Sequence, residues 1–159
     1  MAIQEGDKLP AATFHIMQDG KPTPKTTDDL FAGKKVVVFA VPGAYTPTCS
    51  QAHLPGFVVN ADAIKGKGVD SIVCLSVNDA CVMDSWGKDK TAEELLMVGD
   101  GNGEFTAAIG LEMDGSGFGL GTRSQRYAMI VDDGTVTKLA VEAPGAFEVS
   151  SAEAVLGAL

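Results

Sequence analysis

Two stretches of the chain are apolar with almost no alternation. Val36-Val37-Val38-Phe39-Ala40-Val41 and Ser71-Ile72-Val73-Cys74-Leu75-Ser76-Val77 are rich in β-branched residues, as central strands covered on both faces should be. A shorter strand is predicted around Thr13–Ile16 and a weaker one over Leu95–Val98. Tyr127–Val131 and Thr135–Val141 flank Asp132-Asp133-Gly134, and Asp-Gly between two β-rich runs predicts a hairpin. Helical segments fall between the strands. Thr26–Phe31 opens on a Thr cap, carries Asp in its first turn and stops at Gly33. Thr48 to about Lys65 has helical composition, with a kink or break expected at Pro55-Gly56 and an end at Gly66 and Gly68. Asn78-Asp79 caps a helix through about Lys88, and Phe105–Leu111 is a short helix. Ser150-Ser151-Ala152-Glu153 fits a capping box that opens a last helix through Leu159. The order β-α-β-α-β-α-β-β-α puts parallel crossovers first and a hairpin last. It predicts an α/β fold, a mixed central sheet with helices on both faces.

Composition narrows the classes. The chain has 159 residues, one domain's worth, and no repeat or linker divides residues 1–159. At 45% hydrophobic and 21% charged residues it is not a largely disordered chain. A net charge of −9 repels nucleic acid and anionic membranes, so neither is expected as a partner. No apolar run approaches the roughly 18 residues of a membrane span. Met1–Asp7 has neither a basic cluster nor an apolar signal core, so no targeting segment and a cytoplasmic location are expected. Three cysteines, Cys49, Cys74 and Cys81, are too few and too odd for a secreted disulfide scaffold. In a reducing compartment each serves chemistry or packing. The cysteines and histidines are too scattered for a zinc cluster.

The chemistry concentrates at Val41-Pro42-Gly43-Ala44-Tyr45-Thr46-Pro47-Thr48-Cys49-Ser50. A buried strand feeds a tight loop, and the loop feeds a helix whose first turn holds Cys49. First-turn N–H groups lack partners within the helix and carry partial positive charge, which favours a thiolate. Thr46, three residues earlier, can turn its hydroxyl toward the sulfur or toward an oxygen bound to it. Pro42 and Pro47 stiffen the loop and shield the sulfur from water. A lone cysteine is otherwise often a small buried hydrophobe. His53 follows Cys49 by four residues, one helical turn on. As a general base it would make a cysteine hydrolase; otherwise it is structural or rims the pocket. No Cys-x-x-Cys is present, which argues against a disulfide reductase.

Pro42-x-x-x-Thr46-x-x-Cys49 resembles the signature of the peroxiredoxins. Ser50–Phe57, Leu75-Ser76-Val77-Asn78-Asp79 and Arg123-Ser124-Gln125-Arg126-Tyr127 resemble their type II, peroxiredoxin-V-like subfamily. The likeness runs from Gly6 to the last helix. It implies a thioredoxin-like fold and a cofactor-free, thiol-dependent peroxidase for hydrogen peroxide and alkyl hydroperoxides, serving antioxidant defence. It implies that Cys49 is the peroxidatic cysteine that becomes a sulfenic acid. Thr46 hydrogen-bonds the peroxide, Pro42 shields it, and Arg126 favours the thiolate and the transition state. Arg123 is a supporting candidate, equally readable as a surface arginine.

Regeneration is open at this level. Cys74 lies 25 residues after Cys49, where many type II members have a second cysteine, and it is the candidate resolving thiol. It reads equally well as core packing, and a disulfide needs Cα atoms within about 7 Å. The metazoan branch's late resolving cysteine is missing from Ala143–Ser151. The other route is glutathione with glutaredoxin, or thioredoxin, acting on Cys49. Cys81 is expected to pack. Type II relatives are commonly homodimers, with Tyr45, Phe118 and Phe147 as candidate interface residues. A peroxide-sensing redox switch acting through a partner is the alternative that uses the same thiol.

Overall fold

The computed structural model describes residues 2–159. The chain runs β1 (Thr13–Gln18), β2 (Lys21–Thr26), α1 (Thr27–Phe31), β3 (Lys35–Val41), a π-turn (Cys49–His53), α2 (Leu54–Lys65), β4 (Ser71–Ser76), α3 (Ala80–Asp89), β5 (Leu96–Gly99) and α4 (Glu104–Ala108). It continues through β6 (Glu112–Asp114), β7 (Thr122–Ser124), β8 (Tyr127–Asp132), β9 (Thr135–Val141) and α5 (Ala152–Ala158). Seven strands form one sheet in the order β2-β1-β5-β4-β3-β8-β9. β3, β4 and β5 are parallel, while β8 joins β3, β9 joins β8 and β1 joins β5 antiparallel. This is the expected α/β fold.

Strand alternation splits the core into two layers. Val37, Phe39 and Val41 of β3 face Leu54, Phe57 and Ile64 of α2, Met83 and Trp86 of α3, and Val155 of α5. Val36, Val38 and Ala40 face Phe14, Leu30, Phe31 and Phe105 on the opposite side. Helices cover both faces, which is why β3 is buried from Val36 to Val41.

Four local features depart from expectation. Lys21–Thr26 is a strand despite Pro22 and Pro24, and it lies at the sheet edge against β1. The two prolines alternate, so their nitrogens point away from the partner, and prolines are tolerated there. The helical irregularity lies upstream of Pro55. The Leu54 N–H bonds the Cys49 carbonyl, and this wider turn absorbs the donor that Pro55 cannot supply within the first turn of α2. The cap of α5 is Ser151, accepting from the Ala154 N–H, one residue later than the predicted box. Finally, β6 and β7 form a separate short hairpin in a stretch too short and polar to signal itself.

Candidate active site

The loop after β3 is moored before any ligand arrives. The Ala44 N–H donates to Asn78 Oδ1 at 3.0 Å, and the Ser76 hydroxyl donates to the same oxygen at 2.6 Å. Trp86 Nε1 donates to Ser50 Oγ at 2.8 Å. The Thr46 hydroxyl donates to the Gly43 carbonyl at 2.7 Å. Its proton is thus committed to the loop, and its lone pairs remain to accept. The Ser50 N–H donates to the Thr46 carbonyl at 2.9 Å, which starts the helix and sets Cys49 in the first turn, as expected.

Cys49 is fully buried, and its Sγ receives Arg126 Nη2 at 3.2 Å. Arg126 immediately precedes β8, and its carbonyl accepts the Glu142 N–H at 2.9 Å. The other guanidinium nitrogen, Nη1, donates to His53 Nδ1 at 2.9 Å. His53 Nε2 lies 2.9 Å from the Ser150 carbonyl. A guanidinium only donates and a carbonyl only accepts, so the imidazole carries its proton on Nε2. Burial first, and the Arg126 charge after it, push the pKa of His53 from 6.5 down to about 3. Both ring nitrogens are engaged, Nδ1 by the guanidinium and Nε2 by the Ser150 carbonyl, so neither is free to act as a base on the thiol. The hydrolase reading of Cys49 and His53 is therefore wrong, and so is a rim position for His53.

A cavity of about 450 Å³ opens beside this cluster, lined by Pro42, Thr46 and Arg126 and by the apolar Met113, Phe118 and Leu120. Arg123 is no free surface arginine. Its Nε donates to the Leu120 carbonyl at 3.0 Å and its Nη1 to the Pro42 carbonyl at 3.3 Å, tying the β6–β7 hairpin to the loop. Cys74 lies in β4 opposite Phe39 and Met97, in the same core layer as Cys49. Burial foremost, and the nearby Cys49, push its thiol pKa well up. Cys81 does not pack: it is exposed, because Ala80, Met83 and Trp86 take the buried side of α3. Phe147 lies 5.0 Å from the His53 ring and 5.9 Å from the Arg126 guanidinium carbon, which makes it local packing.

The sequence reading passed over Glu142. One of its oxygens accepts the Glu148 and Val149 N–H groups, the Ser150 N–H and the Ser150 hydroxyl, at 2.7 to 2.8 Å. Burial raises its carboxyl pKa, but these four donors outweigh that and leave it lowered. No spacing signal marks it, since its partners lie six to eight residues away on a loop. Among the described residues, no group of three or more His, Cys, Asp or Glu side chains could hold a metal ion. Nor is any helix among them long and apolar enough to cross a membrane.

The redoxin family's sequence model matches residues 4–156. Peroxiredoxin-2E, chloroplastic, of Arabidopsis thaliana is 50% identical over 99% of this chain and 70% of its own length. Peroxiredoxin-2B of the same plant is 46% identical over 99% of this chain and 98% of its own. The chain belongs to the peroxiredoxins. The crystal structure of reduced Prx3 from Vibrio vulnificus in complex with hydrogen peroxide is 58% identical, with a TM-score of 0.95 over 98% of each chain. Like other peroxiredoxins, this protein is a thiol-dependent peroxidase with a thioredoxin-like fold. Of the motif that carried the resemblance, Pro42, Thr46 and Arg126 line the cavity, and Cys49 lies buried behind them in contact with Arg126.

Proposed function

We propose that Cys49 is the peroxidatic cysteine and that hydrogen peroxide and organic hydroperoxides are its substrates. The Cys49 sulfur attacks one peroxide oxygen in line with the O–O bond. An S–O bond forms, the O–O bond breaks, and the leaving oxygen departs as an alkoxide or hydroxide that takes a proton from solvent. Sulfur is oxidised by two electrons to the sulfenic acid, and the peroxide is reduced to an alcohol or water. Arg126 Nη2 stabilises charge on the sulfur and on the departing oxygen. The Thr46 hydroxyl, its proton on the Gly43 carbonyl, accepts the peroxide O–H. Pro42 closes the site to bulk water, and the apolar lining at Met113, Phe118 and Leu120 suits an alkyl group. The carrying observation is the 3.2 Å contact of Nη2 of the cavity-lining Arg126 with the buried Cys49 Sγ.

The reductant comes from outside the chain, glutathione with glutaredoxin or thioredoxin, and the enzyme works in a reducing, cytoplasmic setting as a homodimer. Its three cysteines are unpaired. Cys74, buried and with its thiol form favoured, meets Cys49 only if the π-turn unwinds. Stopped-flow consumption of hydrogen peroxide tests the site. Cys49→Ser abolishes turnover, and Arg126→Ala slows oxidation about 100-fold or more, the scale of losing a charge-stabilising donor, while circular dichroism stays native. Turnover by Cys49→Ser overturns the assignment. Mass spectrometry after one equivalent of peroxide reads the cycle. A sulfenic acid or glutathione adduct supports direct attack of the external reductant on Cys49, whereas a Cys49–Cys74 crosslink makes Cys74 the resolving thiol and the disulfide the group that the external reductant reduces. Absence of multiple turnover with any added thiol reductant leaves the redox-switch alternative standing instead.

A further inference from the structure

Arg126 is held without a carboxylate partner: among the described residues none forms a salt bridge with it. Its fixed partners are a neutral imidazole nitrogen and the Phe147 ring. The imidazole is itself locked. Phe39, Phe57 and Phe147 surround it with ring centroids at 5.0, 5.6 and 5.0 Å, and Phe39 stacks on Phe57 at 4.0 Å. The Ser150 carbonyl takes the Nε2 proton. Ser150 is in turn fixed by the Glu142 carboxylate through its N–H and its hydroxyl. The bonds form one chain: Glu142, Ser150, His53, Arg126, Cys49.

We propose that His53 is a positioning residue whose neutral imidazole aims the Arg126 guanidinium at Cys49 without neutralising it, and that Glu142 sets this arrangement through the Ser150 carbonyl. This rests on the reading of Cys49 and Arg126 given above and adds how the arginine is held. A carboxylate in the place of His53 Nδ1 would also orient the guanidinium. It would cancel the charge that the sulfur and the departing oxygen need. An imidazole with its proton on Nε2 offers Nδ1 as an acceptor and brings no charge. The tautomer is decided by the carbonyl on the far side of the ring, a division of labour familiar from histidines oriented through their second nitrogen. Glu142 supplies the negative charge that orders the loop from residue 143 to 150. Its four N–H and O–H donors keep that charge occupied, and it makes no salt bridge with Arg126, although the Glu142 N–H bonds the Arg126 carbonyl.

The test compares stopped-flow rates of Cys49 oxidation by hydrogen peroxide in four variants that circular dichroism shows to be folded. His53→Leu keeps volume and removes the acceptor, and its rate falls 30-fold or more. His53→Asn returns an acceptor oxygen near the position of Nδ1, and its rate recovers to within about 5-fold of wild type. Adding His53→Leu to Arg126→Ala changes the rate less than 2-fold, because the histidine acts only through the arginine. Glu142→Gln discriminates by sign. A carboxylate acting merely as a nearby negative charge would, on removal, speed oxidation, whereas one acting through the loop slows it. Side-chain ¹⁵N spectra of wild type show Nε2 protonated and Nδ1 bare from pH 5 to 8. A wild-type oxidation rate in His53→Leu, additive losses in the double variant, or a faster Glu142→Gln overturns the proposal. Should His53→Leu not fold, the His53→Asn rate, the sign of Glu142→Gln and the ring spectra decide it. Failure of the peroxidase assignment reads differently, as turnover surviving in Cys49→Ser.

Discussion

A histidine that is neutral inside the fold and charged outside it makes stability depend on pH. With the pKa of His53 pushed down to about 3, the unfolded chain binds a proton below about 6.5 that the native chain refuses. Stability therefore falls as pH drops from 6.5 toward 3, by at most about 1.4 kcal/mol per unit from this group. Glu142 acts in the same direction at lower pH. Its lowered carboxyl is ionised in the native state where the unfolded chain has begun to protonate. Urea unfolding at pH 6.5 and pH 5.0 should show wild type losing up to about 2 kcal/mol more than His53→Asn. Parallel pH curves for the two proteins would contradict the neutral, buried state of His53. At this scale the sequence was most legible where chemistry is local. Cys49, Thr46 and Pro42 are linked by loop spacing, and helix physics alone explains why a thiol belongs there. The spacing of His53 from Cys49 pointed to the wrong partner. Tertiary contacts with Arg126 and Ser150, 73 and 97 residues away, decide its role, and no pattern in a single sequence carries such pairings.

Elements were legible in proportion to their burial. β3 and β4 are unbroken apolar runs because helices cover both their faces, and each was placed to within a residue or so. β2 escaped because its prolines argue against a strand unless its edge position is known. The signal that was present, Asp19-Gly20, is a hairpin turn with φ of 54° and 77°. Between β3 and the π-turn, a side chain at Gly43 would fit only if its neighbours gave way by a few tenths of an ångström. A Cβ on Gly43 would lie 3.0 Å from Arg123 Nη1 and 3.1 Å from Thr46 Cγ2. The arginine can give way only by loosening its bond to the Pro42 carbonyl. Thr46, its hydroxyl committed to the Gly43 carbonyl, would shift by a few tenths of an ångström and strain that bond. Gly43→Ala should thus lower the rate of Cys49 oxidation about 10-fold or more, the usual scale for displaced positioning groups. The melting temperature should drop only a few degrees. A large loss of stability with an unchanged oxidation rate would mean that the glycine serves folding and not the geometry of Thr46.

For the whole molecule, composition and charge were legible and association was not, because surface contacts between copies leave no periodic trace. Phe118 is 87% exposed and Tyr45 48%. Phe118 lines the cavity, and Tyr45 lies in the loop whose Pro42 and Thr46 line it too. An aromatic as exposed as Phe118 at a cavity mouth fits an interface better than solvent. A standard interface covers roughly 800 Å² per partner, about a tenth of the 7469 Å² surface. Each chain carries −9, so two copies repel. A homodimer would therefore have to be driven by apolar contact, and added salt would strengthen it by screening. Phe118→Asp puts a charge into the contact and adds to the repulsion. Sedimentation equilibrium should find wild type dimeric at micromolar concentration, tighter at 0.5 M than at 0.05 M sodium chloride, and Phe118→Asp monomeric. Association that weakens with salt would instead place ion pairs at the contact, and a wild type monomeric at 100 μM would remove the homodimer altogether.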